Sequence, residues 1–257
     1  MQHSILFDTD AVYIAIILFI SMGISLSIGY NRGKKSQRVV SNESGILGSM
    51  VGLFALLLAF TFGMSGSRFE NRKNHVIEEV NCIGTATLRS DIYPDTSRIA
   101  FRHDFEEYLD ARIMFYKSVR NDSIINISLK NAEEAAKKLW KRASFYGRKR
   151  EYLLQGNVML PALNNMIDIG DANNALFSTY VPETIIYLLL AFAVIISFYV
   201  GFNSGFKKQI DKIYLLGFSL LASIVIYTIL DLDRPRRGAI TIKNEIYLME
   251  ELKNEFK

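Results

Sequence analysis

Four long windows of uncharged, mostly apolar residues set the strongest limit on what this chain can fold into. They span 11–30, 44–67, 184–206 and 213–230, and none contains Asp, Glu, Lys, Arg or His. A helix needs about 20 such residues to cross the hydrocarbon core of a bilayer. A chain of 257 residues has too small a core to bury four helices of this kind. The windows therefore predict four transmembrane helices.

The flanks of the first window favour a retained anchor over a cleaved signal peptide. A signal peptide begins with a basic segment, whereas Asp8 and Asp10 precede this window. The basic residues follow the window instead, as Arg32, Lys34 and Lys35.

The windows form two pairs, each joined by a short basic loop, with a long polar stretch between the pairs. We therefore expect an all-α integral membrane protein in a 2 + 2 arrangement around a helical extramembrane domain. The expected parts are a first helix pair within 1–67, the helical domain over 68–181, a second pair within 182–230 and a polar, partly helical C-terminal tail over 231–257.

The polar stretch is predicted to be helical because its apolar residues recur every three or four positions. Tyr93-Pro94-Asp95 should end the first of its helices, since proline cannot continue one. Later helices are expected to be capped at Ser97, to span 128–152, and to span 158–177 with interruptions at Pro161 and Gly170.

The second window runs into the polar stretch without a stop signal. Neither a proline nor an Asn-Gly turn separates it from the charged residues that follow. Gly63 and Gly66 are tolerated in membrane helices that pack closely. The pattern predicts one helix of more than about 30 residues that leaves the membrane and continues outside it.

The chain lacks the spaced motifs of common catalytic and metal sites. His3, His75 and His103 show neither HxxxH nor HExxH spacing, and no nucleophile, phosphate-binding or dinucleotide motif is present. Glu78 and Glu79 are adjacent, so on a helix they diverge by about 100° and are predicted to be solvated charges. We expect no enzymatic activity, no cofactor and no metal ion.

The charge pattern favours lipid headgroups over nucleic acid as the contact of the basic residues. These residues flank the apolar windows or alternate with acids, although the net charge is +4. Cys82 is the only cysteine, which excludes an intramolecular disulfide and a cysteine-based zinc site.

Uncharged windows also argue against an ion-coupled transporter, which places ionisable groups at membrane depth. A channel has no such requirement, and a pore on a symmetry axis takes the same helix from several copies. Gly48-x3-Gly52 and Gly201-x3-Gly205 provide positions where helices can approach closely.

Two segments resemble the bacterial bestrophin-like membrane proteins, a family distantly similar to bestrophins. They are LLLAFTFGMSGSRFENRKNHVIEEVNCIGTATLRSDIYP and LDLDRPRRG. Bestrophins are pentameric anion channels with four spans in each subunit. The resemblance implies a homo-oligomer, a pentamer, in the bacterial inner (plasma) membrane that passes small anions through a pore lined by the second span.

The same resemblance suggests which residues form the pore. In bestrophins a Leu-Gly-Phe precedes an arginine by eight residues, and Leu58-Ala59-Phe60 precedes Arg68 by the same spacing. Carried over by position, the pore lining comprises Gly52, Leu56 and Phe60, and the pore mouth or helix extension comprises Arg68, Glu70, Arg72 and Lys73. Gly52 departs from the bulky residues usual at the neck.

The C-terminal segment with Asp231, Asp233 and Pro235 corresponds to an acidic stretch that holds calcium in some animal bestrophins. Here the acids lie beside Arg234 and Arg237. This favours an ion pair or a helix stop over a metal site.

The sequence is compatible with two orientations and two functions. The basic residues of the short loops, including Arg38, Lys207 and Lys208, place those loops in the cytoplasm, whereas bestrophins keep the helical domain there. The alternative function is a non-conducting membrane scaffold whose helical domain binds a protein partner.

Overall fold

A computed structural model describes residues 6, 9–36, 43–119, 121–206 and 212–255. Within these ranges every regular element is a helix, which confirms the all-α prediction. The main helices are α1 (Ala11–Lys34), α2 (Glu43–Arg89), α3 (Asp95–Lys117), α4 (Asp122–Gly147), α5 (Leu153–Ser178), α6 (Glu183–Phe206), α7 (Lys212–Leu232) and α8 (Lys243–Asn254). Four helices in the described part are long and apolar enough to cross a membrane. Asp8, Arg38, Lys207 and Lys208 lie outside the described residues.

Helix α2 is continuous over 47 residues, as the missing stop signal predicted. At 1.5 Å per residue it is about 70 Å long. A short 3₁₀ turn, Ser90–Ile92, follows it, and Pro94 begins the next chain segment. The predicted break at Tyr93-Pro94-Asp95 is confirmed.

Three predicted helix starts were wrong, among them that of α5, which begins at Leu153, five residues before the expected position 158. Helix α3 begins at Asp95, so Ser97 lies inside its first turn and donates a hydrogen bond to the Tyr146 hydroxyl at 2.6 Å. Helix α4 begins at Asp122, six residues before the expected start, because the Asn121 side chain accepts a hydrogen bond from the Ile124 N–H at 3.0 Å.

The predicted interruption of α5 was also wrong. Pro161 and Gly170 both lie inside one helix. Proline removes one backbone hydrogen bond, but the fully buried Met159, Leu163 and Met166 hold this helix through tertiary packing. Gly170 is needed for a close approach, since a Cβ there would lie 2.7 Å from the Tyr108 hydroxyl.

The chain divides into two compact units, and the first contains the apolar helices. This apolar unit comprises Gln2–Phe69 and Tyr180–Ile240. Its core includes Met22, Phe54, Leu189, Ile196, Ile226 and Ile229. Phe54 of α2 packs against Phe218 of α7, with ring centroids 6.4 Å apart.

Helices α1 and α6 approach so closely in this unit that only glycine fits at four positions. A Cβ on Gly29 or Gly33 would lie within 2.1 Å of a carbonyl oxygen of α6. A Cβ on Gly201 or Gly205 would lie 2.1 Å from a carbonyl oxygen of α1. The backbones of the two helices are therefore in direct contact.

The polar unit comprises Glu70–Thr179 and Thr241–Lys257. Helices α3, α4 and α5 pack in sequence, and α8 packs against α3. The core contains Phe101, Phe105, Leu109, Leu139, Leu163 and Met166. Ion pairs of Lys117 with Glu250 and of Lys253 with Asp110 join α8 to α3 at the surface.

Candidate functional site

Helix α2 has two opposite faces, and one of them is packed within the chain from Phe54 to the end of the helix. The buried residues are Phe54, Thr61, Ser65, Arg72, Val76, Glu79, Ile83 and Ala86. At about 100° per residue these positions fall within an arc of about 80°. This face therefore holds α2 to the other helices of each unit.

The proposed pore-lining residues lie on the other face. Gly52, Leu56 and Phe60 are all exposed, with 51% of Leu56 and 69% of Phe60 accessible. A Cβ added to Gly52 would meet no atom within 4 Å. The residues that the structure describes therefore leave these three positions uncovered.

The exposed face changes from apolar to polar along the helix. After Gly63 it presents Ser67, Glu70, Asn74, Glu78, Asn81 and Thr85, all of them exposed. These positions fall within about 80° of Gly52 on the helix, opposite the buried arc. Asn74, Asn81 and Thr85 were not predicted on this face, although continuing the helical period from Leu56 places them there.

The four charged residues assigned to a pore mouth or helix extension lie in different surroundings. Arg68 is partly exposed, and Lys73 pairs with the exposed Glu70 at 3.5 Å. Arg72 is buried in the polar unit, where it donates hydrogen bonds to the carbonyl oxygens of Leu176 at 3.4 Å and Thr179 at 2.5 Å. Arg72 thus binds the C-terminal end of α5, where carbonyl groups lack helical partners.

Glu79 is the centre of a buried polar network in the polar unit, so the prediction that it is solvated was wrong. Its carboxylate accepts hydrogen bonds from the Arg112 guanidinium, from the Tyr116 hydroxyl at 2.5 Å and from the Asn173 amide at 2.7 Å. Arg112 also donates to the Asn174 side-chain oxygen at 2.6 Å.

Burial and charge act in opposite directions on Arg112. Burial lowers the pKa of Arg112, but the Glu79 carboxylate and the Tyr116 and Tyr108 hydroxyls raise this pKa by more. Burial, reinforced by Glu79, raises the pKa of Tyr116. Arg112 therefore stays charged and Tyr116 neutral, so the network keeps one pattern of donors and acceptors.

The C-terminal segment folds around its two acids. The Asp231 carboxylate accepts hydrogen bonds from the N–H groups of Ala239 at 3.0 Å and Ile240 at 2.8 Å. Gly238 has φ +96°, and a Cβ there would lie 1.8 Å from an Asp231 oxygen. The Asp233 carboxylate accepts from the Val181 N–H at 2.8 Å, just before α6 begins.

Helix α7 ends at Leu232 within this segment, as the helix-stop interpretation predicted. Pro235 is buried, and Arg234 donates hydrogen bonds to the carbonyl oxygens of Leu6 and, at 2.6 Å, Thr9. The acids bind backbone amides instead of presenting a free pair of carboxylates. The segment ties the ends of α1, α6 and α7 together in the apolar unit.

One group of side chains in the described ranges has the spacing of metal ligands. The ligand atoms of His103, Asp104 and Glu107 lie within 4.8 Å of one another. However, Arg142 donates to Asp104 at 2.8 Å and Lys138 to Glu107 at 2.6 Å. Both carboxylates are already paired with cations, which disfavours binding of a metal ion by this group.

A family model for the Bestrophin-like domain matches residues 14–247. Among proteins with curated descriptions, none matches the chain.

Several crystal structures are similar in fold. A bacterial Bestrophin homolog from Klebsiella pneumoniae carrying a single mutation superposes with a TM-score of 0.67 at 14% identity, covering 96% of this chain and 99% of that chain. Another structure of that bacterial Bestrophin homolog, also from Klebsiella pneumoniae, gives a TM-score of 0.66 at 13% identity, with coverage of 95% and 97%. At such low identity the likeness shows a shared fold. The family match favours a membrane channel over an enzyme.

Proposed function

The chain belongs to the Bestrophin-like family, and from that premise we propose that it is an oligomeric ion channel whose pore is lined by the exposed face of α2. The uncovered positions Gly52, Leu56 and Phe60 are the observation that carries this proposal. We place the channel in a bacterial inner membrane, in keeping with the resemblance to bacterial members of the family.

Hydropathy supports a 2 + 2 arrangement of spans. The apolar unit would hold four membrane helices, namely α1, the first part of α2, α6 and α7. The polar unit would lie outside the lipid, since its surface carries ion pairs such as Arg102 with Asp91 at 2.9 Å. Helix α2 would then carry the pore lining from the membrane into the polar unit.

Exposed apolar residues on α2 support an assembly of several copies. Leu53, Leu56, Phe60 and Phe62 are 45–69% exposed in the single chain. A pore on a symmetry axis needs the same helix from each subunit, and neighbouring subunits would cover the flanks of that helix. The resemblance implies five subunits.

The charges on the exposed face bear on ion selectivity. Its charged residues are Glu70, paired with Lys73, and Glu78, which is exposed and forms no ion pair within the described ranges. Rings of carboxylates favour cations. The resemblance implied small anions, whereas this face favours small cations, so the reversal potential under a salt gradient decides between them.

The first experiment measures the mass of the detergent-solubilised particle by light scattering with the detergent subtracted. A pentamer supports the central pore. A monomer or dimer that retains a stoichiometric partner protein would instead support the non-conducting scaffold.

The second experiment compares Phe60→Ala with Phe62→Ala in liposome flux assays. Both residues are exposed on α2, but Phe62 lies about 160° away from Phe60 on the helix. We expect the Phe60 variant to change flux several-fold and the Phe62 variant to behave like the parent. Equal behaviour of the two variants would contradict the proposed pore face.

A further inference from the structure

The apolar unit contains a cavity of about 730 Å³ at the C-terminal end of α1. Residues from three helices line it, including Arg32 and Lys35 at the end of α1, Leu47 and Met50 of α2, and Phe198 and Phe202 of α6. We name this space the basic cavity. All of its lining residues lie in the apolar unit.

Most of the wall of the basic cavity is apolar. The Phe198 and Phe202 rings stack with centroids 6.4 Å apart and an interplanar angle of 21°. Ile46 of α2 also lines the cavity and is 68% exposed. Such a surface favours hydrocarbon over water.

Direct backbone contact makes this wall rigid. A Cβ on Gly33 would lie 2.0 Å from the Phe202 carbonyl oxygen, so the end of α1 rests on α6 beside the two rings. The contact places Arg32 and Lys35 next to the apolar wall instead of leaving them on a separate loop. The positions of charge and apolar surface are therefore set by packing.

The polar edge of the cavity is positively charged. Arg32 and Lys35 are both exposed, and none of the described residues that line the cavity is acidic. The C-terminal end of a helix carries only about half a negative charge, which two full positive charges exceed. The site therefore attracts an anion.

These two properties identify one class of ligand. The cations follow directly after the uncharged stretch 11–30, at the level where bilayer headgroups begin. A free anion would gain nothing from the apolar wall, whereas a phospholipid supplies both a phosphate and acyl chains. We propose that the basic cavity binds an anionic phospholipid, with its headgroup at Arg32 and Lys35 and its chains along Phe198, Phe202 and Met50. This assignment does not depend on ion conduction.

The test uses tryptophan fluorescence, because Trp140 is the only tryptophan and lies in the polar unit. Trp140→Phe removes this background, and Tyr199→Trp places a tryptophan on the cavity wall. The full-length variant is reconstituted in vesicles of phosphatidylcholine with a minor share of phosphatidylglycerol. In one set the phosphatidylglycerol carries bromine, and in the other an equal share of phosphatidylcholine does. Lipid composition and surface charge are then identical in both sets.

We expect brominated phosphatidylglycerol to half-quench the introduced tryptophan at a roughly tenfold lower mole fraction than brominated phosphatidylcholine. Arg32→Gln with Lys35→Gln should abolish this preference. Lys34→Gln is the matched control, since Lys34 lies in the same turn and is exposed but does not line the cavity. The Lys34 variant should keep the preference for phosphatidylglycerol within about twofold, because any headgroup contacts of Lys34 lie outside the cavity.

Several results would overturn the proposal. One is equal quenching by both lipids in the parent. A second is the absence of quenching by either lipid, which is expected if a second copy of the chain covers the cavity. A third is a loss of preference in the Lys34 variant as large as that in the variant lacking Arg32 and Lys35. Full displacement by inorganic phosphate at matched ionic strength would show a free-anion site and would also overturn it. Native mass spectrometry of the chain with its natural residues provides a second readout, in which phosphatidylglycerol should be retained over phosphatidylcholine.

Discussion

The two faces of helix α2 place the same residue type in opposite surroundings. Glu79 is fully buried and binds Arg112, Tyr116 and Asn173, whereas Glu78, one residue earlier, is exposed without an ion pair in the described part of the chain. Neighbours on a helix differ by about 100° in direction. The face on which a residue lies, more than its type, therefore determines its role.

Glycine shows the same contrast between regions of the apolar unit. Gly201 and Gly205 of α6 each face a carbonyl oxygen of α1 at a distance that excludes any side chain. Gly48 and Gly52 of α2 have the same spacing, yet a Cβ at either would meet no atom within 4 Å. The Gly-x3-Gly spacing alone does not tell which helices are in contact.

The largest expected effect is loss of the buried ion pair. Glu79→Gln leaves the Arg112 charge buried without its carboxylate, which should lower the free energy of unfolding by about 3–5 kcal/mol. Glu78→Gln is the matched control and should change it by less than about 0.5 kcal/mol. Chemical denaturation followed by Trp140 fluorescence measures both. Similar losses of unfolding free energy in the two variants would contradict the assignment of Glu79 to a buried face and Glu78 to an exposed face.

The next effect concerns the contact of α1 with α6. Gly201→Ala would place a Cβ 2.1 Å from the Leu26 carbonyl oxygen, so the helices must separate. We expect a loss of about 1–3 kcal/mol, measured as a lower unfolding temperature in detergent. Gly217→Ala on α7, where a Cβ has open space, should not lower that temperature. A Gly201 variant as stable as the parent would refute direct backbone contact.

A smaller effect of opposite sign is expected on the exposed face of α2. Gly52→Ala should stabilise the helix by up to about 1 kcal/mol, since alanine has the higher helix propensity and meets no neighbour in the chain. If Gly52 lines a pore, the added methyl groups should also reduce ion flux. Destabilisation equal to that of Gly201→Ala would instead place Gly52 in a tight contact.

The substitution with the smallest expected effect on stability, Glu78→Gln, should change ion selectivity. Glu78→Gln removes an exposed charge from the proposed pore face and should shift the reversal potential toward anions under a salt gradient. Glu251→Gln changes an exposed carboxylate of α8 and serves as the control. An unchanged reversal potential in the Glu78 variant would show that this face does not line the ion path.

Much of the fold could be predicted from local signals. Uncharged windows predicted the four apolar helices, and the absence of a stop signal predicted the continuity of α2 through Arg89. Local signals failed at Pro161, where burial of neighbouring side chains outweighed one lost hydrogen bond. They also failed at Glu79, whose partner Arg112 lies 33 residues away in the sequence.

At the candidate site, too, sequence-based prediction failed where contacts join distant segments. The resemblance to bestrophins assigned Gly52, Leu56 and Phe60 to a pore lining, and in the structure all three are exposed on one face of α2. Arg72 was grouped with its charged neighbours, but it turns inward to the end of α5, about 100 residues further along the chain. The basic cavity could not be predicted, because one of its walls comes from α6, which lies about 150 residues away in the sequence from the parts of α1 and α2 that it faces.

Composition and helical period by themselves determined that this protein is helical and that four of its helices are apolar and long enough to cross a membrane. They also determined that α2 extends beyond its apolar part. These properties depend on residues within a few turns of one another, so the chain specifies them locally. Which carboxylate is buried, which glycines touch another backbone and where cations meet an apolar wall depend on contacts between distant segments. Such contacts exist only after the helices have packed, because packing selects one face of each helix for burial.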